Sequence, residues 1–110
     1  KSLNGSVVLL LGVTYKANVS DQRETPARPL AAHLAAMGAD VRYFDPHVDT
    51  FTFNGRELIG EGDLEQALAM ADIAVLVQAH DEIVKSGALN RVGHILDTRG
   101  VLSGNNVERL

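Results

Sequence analysis

The chain has 110 residues, no cysteine and a formal net charge of −4, with 45% hydrophobic and 22% charged residues. That length supports one hydrophobic core rather than two domains, and the acidic balance excludes the broad basic footprint of a nucleic-acid binder. No apolar run approaches the ~18 residues of a membrane span, and a chain without cysteine has no disulfide, thiolate metal site or thiol nucleophile, which fits a cytoplasmic setting.

The polar lead Lys1-Ser2-Leu3-Asn4-Gly5 has no initiating methionine, so the chain reads as one domain taken from a longer protein. Val7 to Val13 is apolar on both faces, the pattern of a buried strand in a parallel sheet. A polar stretch from Thr14 to Glu24 follows. Thr25-Pro26 then predicts a helix start, with threonine as N-cap and proline where its missing N–H costs nothing. Leu30, Leu34 and Met37 recur at helical spacing, Ala31 and Ala35 keep the inner surface small, and Gly38 supplies a left-handed stop. Ala39 to Asp45 is a second strand closed by Pro46, completing a βαβ unit.

Residues 47–62 are less regular. Asn54-Gly55 fits either a tight hairpin turn or a turn in a surface connection. Asp63 and Gln66 stand in a capping-box arrangement before Leu64, Ala67, Leu68 and Ala71, the apolar face of a second helix. Ile73 to Val77 is a third buried strand. Asp81 opens a short helix with Ile83 and Val84 that ends near Gly87. His94 to Asp97 is a fourth strand, and Thr98-Arg99-Gly100 leads away from it. This alternation predicts an α/β fold: a Rossmann-like, doubly wound, mostly parallel sheet of about four to five strands between helices. Ligands of such folds bind at the carboxyl ends of the strands, here the Thr14–Thr25 loop, Asp45-Pro46 and Asp97-Thr98-Arg99.

The dinucleotide fingerprint GxGxxG is missing from the first turn, where only Gly12 stands, so NAD binding by this domain on its own is disfavoured. Asp45 reads as the end of a strand in an Asp-Pro turn. In place of the fingerprint the loop offers Tyr15, Lys16 and Arg23: an aromatic face for a nucleoside and two cations suited to phosphate oxygens. Asp21 and Glu24 are positioned to orient those cations.

The run Gly12-Val13-Thr14-Tyr15-Lys16-x-Asn18-x-x-Asp21-x-Arg23-Glu24-Thr25-Pro26 resembles the opening of the C-terminal domain of the UDP-glucose/GDP-mannose 6-dehydrogenase family. The alanine-rich helix, Tyr43-x-Asp45-Pro46 and Asp97-Thr98-Arg99-Gly100 continue the likeness over essentially the whole chain. The resemblance implies that residues 1–110 are a C-terminal nucleotide-sugar-binding domain, separate from an N-terminal NAD domain and a central helical region through which full-length relatives assemble as homo-oligomers. It further implies that Tyr15, Lys16 and Arg99 contact a UDP-sugar, and that Arg23 reaches NAD held by the rest of the enzyme. The family oxidises the sugar C6 alcohol to a carboxylate through a cysteine nucleophile. This chain has none, so it should be inactive alone and contain no catalytic residue. Tyr15-Lys16-Ala17-Asn18 and Glu24-Thr25-Pro26-Ala27 lean toward members acting on UDP-N-acetylhexosamines such as UDP-N-acetylmannosamine, used in surface polysaccharide biosynthesis. A GDP-mannose enzyme and a non-catalytic binding or assembly module are the alternatives.

Of the four histidines, His80 admits a proton-transfer role or a contact at a helix start or loop. His33, His47 and His94 have no metal-ligand spacing, and no metal site is expected. Arg28 opposes the helix dipole in the first turn, which marks either a ligand or interface contact or a tolerated surface charge.

Overall fold

The computed structural model describes residues 3–91 and 93–109. The first apolar run forms strand β1 (Val7–Leu11), and the chain turns out of the strand at Gly12, whose φ is +81°. Helix α1 (Ala27–Ala36) leads to β2 (Asp40–Phe44), and a hairpin of β3 (Thr50–Phe53) and β4 (Arg56–Ile59) follows. Helix α2 (Leu64–Met70), β5 (Ile73–Leu76), the short α3 (Asp81–Val84) and a 3₁₀ turn (Gly87–Arg91) come next. Strands β6 (Ile95–Asp97) and β7 (Val107–Arg109) close the chain. The main sheet runs β2-β1-β5-β6-β7, and every pair in it is parallel. The expected Rossmann-like, parallel α/β architecture is therefore present, with β7 as a fifth strand.

Strand β1 lies between β2 and β5, so it must be apolar on both faces. Val8 and Leu10 face a core built with Ala27, Ala31, Val41, Tyr43, Phe51, Phe53 and Val75. Leu9 and Leu11 face the other core, with Ala67, Leu68, Ala74, Leu76, Ile83 and Ile95. Burying a leucine fully is worth about 1.5–3 kcal/mol, and β1 carries three such residues.

Helix α1 seats itself differently from the leucine spacing. Ala27 and Ala31 are its buried residues, Leu30 and Leu34 are half-buried, and Met37 is exposed. Small side chains let the helix approach the sheet closely. The Thr25 hydroxyl accepts the Ala27 N–H at 3.2 Å, with Pro26 already helical, and Gly38 ends the helix at φ +89°. Asp63 caps α2 by accepting the Gln66 N–H.

The two readings of Asn54-Gly55 resolve in favour of the hairpin. Both residues have positive φ, 48° and 72°, as a type I′ turn requires. Phe51 and Phe53 point from one face of the hairpin into the α1 core. Arg28, left open above, ties the pieces together. Its Nε donates to Thr52 O at 2.8 Å, its Nη1 to Gln22 O at 3.1 Å, and its guanidinium lies 5.2 Å from the centre of the Phe51 ring.

Candidate functional site

Leaving the hairpin aside, the main-sheet strands stand in the order 2-1-3-4-5, and the winding reverses between β1 and β5. Open parallel sheets bind ligands at this switch point, outside the carboxyl ends of the strands. Here the reversal lies between the Thr14–Thr25 loop after β1 and the Gln78–His80 segment after β5.

That crevice is filled from within. A Cβ on Gly12 would meet Gln78 O at 2.7 Å and Gln78 Cβ at 2.8 Å. The single glycine thus serves contact between two strand ends rather than approach to a pyrophosphate. Gln78 Nε2 donates to Tyr15 O at 2.9 Å, and Thr14 Oγ1 donates to Lys16 O at 2.8 Å. Asn18 donates its N–H to His80 Nδ1 at 2.7 Å and accepts the Asp81 N–H through Oδ1 at 2.8 Å. Its φ of 63° is a left-handed conformation that asparagine tolerates. Tyr15 N–H to Asp21 O at 2.7 Å closes the loop, and the buried Thr25 hydroxyl donates to Thr14 O at its base.

His80 therefore resolves as a loop contact, and Asp45 is more than the end of a strand. With Nδ1 accepting from Asn18, the proton is on Nε2, which donates to Asp45 Oδ2 at 2.8 Å. Asp45 also accepts the Val13 N–H through Oδ2 and the His47 N–H through Oδ1, each at 2.8 Å. Both side chains are fully buried. The sequence reading missed this pair because its members lie 35 positions apart. One signal was available: both residues follow strands that flank β1, so the topology brings them together over its end.

Tyr15 and Lys16 are exposed on this pinned backbone. Arg99 is exposed beyond β6, on the same edge of the sheet. One strand separates β1 from β6, so their ends lie about 10 Å apart at ~4.8 Å per strand. Asp97 builds the turn under Arg99: its Oδ1 accepts the N–H groups of Arg99 and Gly100, and its Oδ2 that of Leu102. Burial pushes the Asp97 carboxyl up, but the N–H groups of Leu102, Arg99, Gly100 and Val101 outweigh it and hold the pKa below the ordinary 3.8. Thr98 Oγ1 fastens the same turn to Leu76 O at 2.6 Å. Among the described residues, the Lys16 ammonium and the Arg99 guanidinium have no ion-pair partner.

Arg23 stands apart from those two. It forms a two-point pair with Asp21, Nε to Oδ1 at 3.0 Å and Nη2 to Oδ2 at 2.9 Å. The Arg23 hydrogen bond holds the Asp21 carboxyl down at about 2. With Tyr15 and Glu24 the pair lines an open cleft of about 320 Å³. Glu24 sits at φ 54°, a left-handed conformation that costs about 1–2 kcal/mol for an L-residue; such strain tends to collect at binding sites.

No group of metal-ligating side chains occurs among the described residues, and none of their helices is long and apolar enough to cross a membrane.

Residues 9–104 match the model of the UDP-glucose/GDP-mannose dehydrogenase family, UDP binding domain. The chain is 32% identical over 106 residues to the UDP-N-acetyl-D-mannosamine dehydrogenase of Methanocaldococcus jannaschii, covering 87% of this chain and 23% of that protein. The solved NDP-N-acetyl-D-galactosaminuronic acid dehydrogenase of Methanosarcina mazei superposes with a TM-score of 0.77 at 25% identity, over 100% of this chain and 25% of the other. The UDP-D-ManNAc dehydrogenase of Pyrococcus horikoshii shares the fold, with a TM-score of 0.78 at 22% identity, over 98% of this chain and 26% of its own. The chain thus spans about a quarter of the length of these relatives. By the match along residues 9–104, the chain belongs to the UDP-glucose/GDP-mannose dehydrogenase family, as its UDP binding domain.

Proposed function

We propose that this chain is the C-terminal, nucleotide-sugar-holding part of an NAD-dependent UDP-sugar 6-dehydrogenase. In this reading Tyr15, Lys16 and Arg99 bind the UDP-sugar and Arg23 meets the cofactor. The observation that carries the reading is the pair of exposed cations, Lys16 and Arg99, unpaired among the described residues and mounted on backbone that buried groups hold in place. A diphosphate carries charge that two such cations can share, and the exposed Tyr15 ring offers a face to a nucleoside.

NAD supplies the hydride acceptor when bound. The switch point of this chain does not suit it, because Gln78 and His80 occupy the space and Gly12 is committed to Gln78. Arg23 does suit it: exposed, preorganised by Asp21 and open to a cofactor carried by the remainder of the longer protein. With no cysteine here, the nucleophile and the oxidation belong to that remainder. The relatives point to UDP-N-acetylmannosamine as the first sugar to test.

The test is an assay of the longer protein for NADH formation with UDP-N-acetylmannosamine, UDP-glucose and GDP-mannose. A UDP-sugar should be the preferred substrate, and Lys16→Ala or Arg99→Ala should raise its KM about 10-fold or more, the loss expected for one charged hydrogen bond. Turnover with GDP-mannose alone, or KM values in both variants unchanged from wild type, would overturn the assignment.

A further inference from the structure

We propose that the buried Asp45–His80 pair is a positioning element for the ligand loop, fixing the backbone that carries Tyr15 and Lys16 and so setting affinity for the UDP moiety without touching it. This rests on the reading that the loop holds the ligand.

The buried groups form an unbroken series. Asp45 is anchored by the Val13 and His47 N–H groups, and its Oδ2 fixes the His80 ring through Nε2. The ring then presents Nδ1 to the Asn18 N–H at 2.7 Å, and its Nε2 lies 3.3 Å from Thr14 Oγ1. Thr14 donates its own hydroxyl hydrogen bond to Lys16 O. The imidazole thus spends Nδ1 on the loop at Asn18 and Nε2 on Asp45, beside Thr14. The part-buried Asn18 N–H finds its acceptor in His80, on a residue whose left-handed φ makes its placement demanding. A pair serving the core alone would have no reason to end on a loop whose side chains point to solvent. The His47 ring, 4.6 Å from His80 and linked to Glu82, covers the pair from the solvent side.

Two substitutions separate holding the core from holding the loop. His80→Gln carries an amide donor at the reach of Nε2, keeping Asp45 satisfied, but has no acceptor at the Nδ1 position. His80→Asn does the reverse, with an oxygen near Nδ1 and nothing reaching Asp45. Amide exchange by NMR in the 110-residue chain, followed by titration with UDP, reads both. In His80→Gln the Leu10 amide should stay protected while Asn18 exchanges about 5- to 10-fold faster and the Kd for UDP rises by a similar factor. In His80→Asn, Asn18 protection and UDP affinity should return toward wild type, with a lower unfolding midpoint.

Unchanged Asn18 exchange and UDP affinity in His80→Gln would overturn the proposal. So would a uniform acceleration of Leu10 and Asn18 together, which marks a role in the core only. Should both His80 variants lose Leu10 protection, the wild-type chain carries the test: an Asn18 amide that exchanges as fast as that of the exposed Ser20 would sink the idea. Failure of the wild-type chain to bind UDP contradicts the proposed function instead, and the Asn18-to-Leu10 exchange ratio still decides this inference.

Discussion

His80 Nε2 lies 2.8 Å from Asp45 Oδ2, and the two side chains meet fully buried over the end of the strand that separates their own. The carboxylate accepts three hydrogen bonds there and the imidazole uses both nitrogens, so the crevice where many doubly wound sheets bind a dinucleotide is filled by protein. The exposed side chains of Tyr15 and Lys16 stand on the outer surface of the loop instead.

Gly12→Ala should be among the most damaging single changes. An alanine there must hold φ near +81° and place its methyl 2.7 Å from Gln78 O. The left-handed cost and the overpacking together amount to about 2–5 kcal/mol. Urea unfolding of the variant checks this, and a change below about 1 kcal/mol would mean that β1 and β5 can part without penalty.

Asp97 predicts a component of acid lability. Its folded pKa is depressed below 3.8, so its contribution to stability is complete above 3.8 and is lost as pH falls through the folded value. Asp97→Asn removes that component and puts an amide donor or a weaker acceptor against the three N–H groups of the turn. The expected loss at neutral pH is about 1–3 kcal/mol, with a flatter fall in stability below about pH 4. Asp21, also depressed, is paired on the surface and should leave the midpoint unmoved when changed to asparagine.

Arg28→Ala should loosen the hairpin more than the sheet. The variant loses the bonds to Thr52 O and Gln22 O and the stacking on Phe51. A global loss of about 1–2 kcal/mol is expected. Amides of β3 and β4 should lose more exchange protection than those of β1, and equal losses would show that the hairpin does not depend on this arginine.

Most of the architecture was legible because its signals are local. Val7 to Val13 is apolar on both faces, Gly38 stops a helix, and Asp63 with Gln66 starts one. Asn54-Gly55 was ambiguous for a physical reason: the turn becomes a hairpin only because Phe51 and Phe53 find a core to enter, which is a tertiary fact. Strand β7 escaped notice because three residues with one half-buried valine give no periodicity to read. In the candidate site, Tyr15, Lys16 and Arg23 were picked out by residue type and position, and Arg99 by the family resemblance. What holds them was not, since Asp45, Gln78 and His80 act across the sheet from distant positions. Met37, read as part of the helical spacing, is exposed because α1 ends at Ala36 and leaves it at the C-cap.

The most direct test of the central claim is calorimetric titration of the 110-residue chain with UDP, alongside NAD and GDP, for wild type, Lys16→Ala and Arg99→Ala. The account predicts binding selective for UDP, weakened about 10-fold or more by either substitution, with unfolding midpoints of the free proteins unchanged. Binding of NAD in preference to UDP, or UDP binding indifferent to both cations, would contradict it.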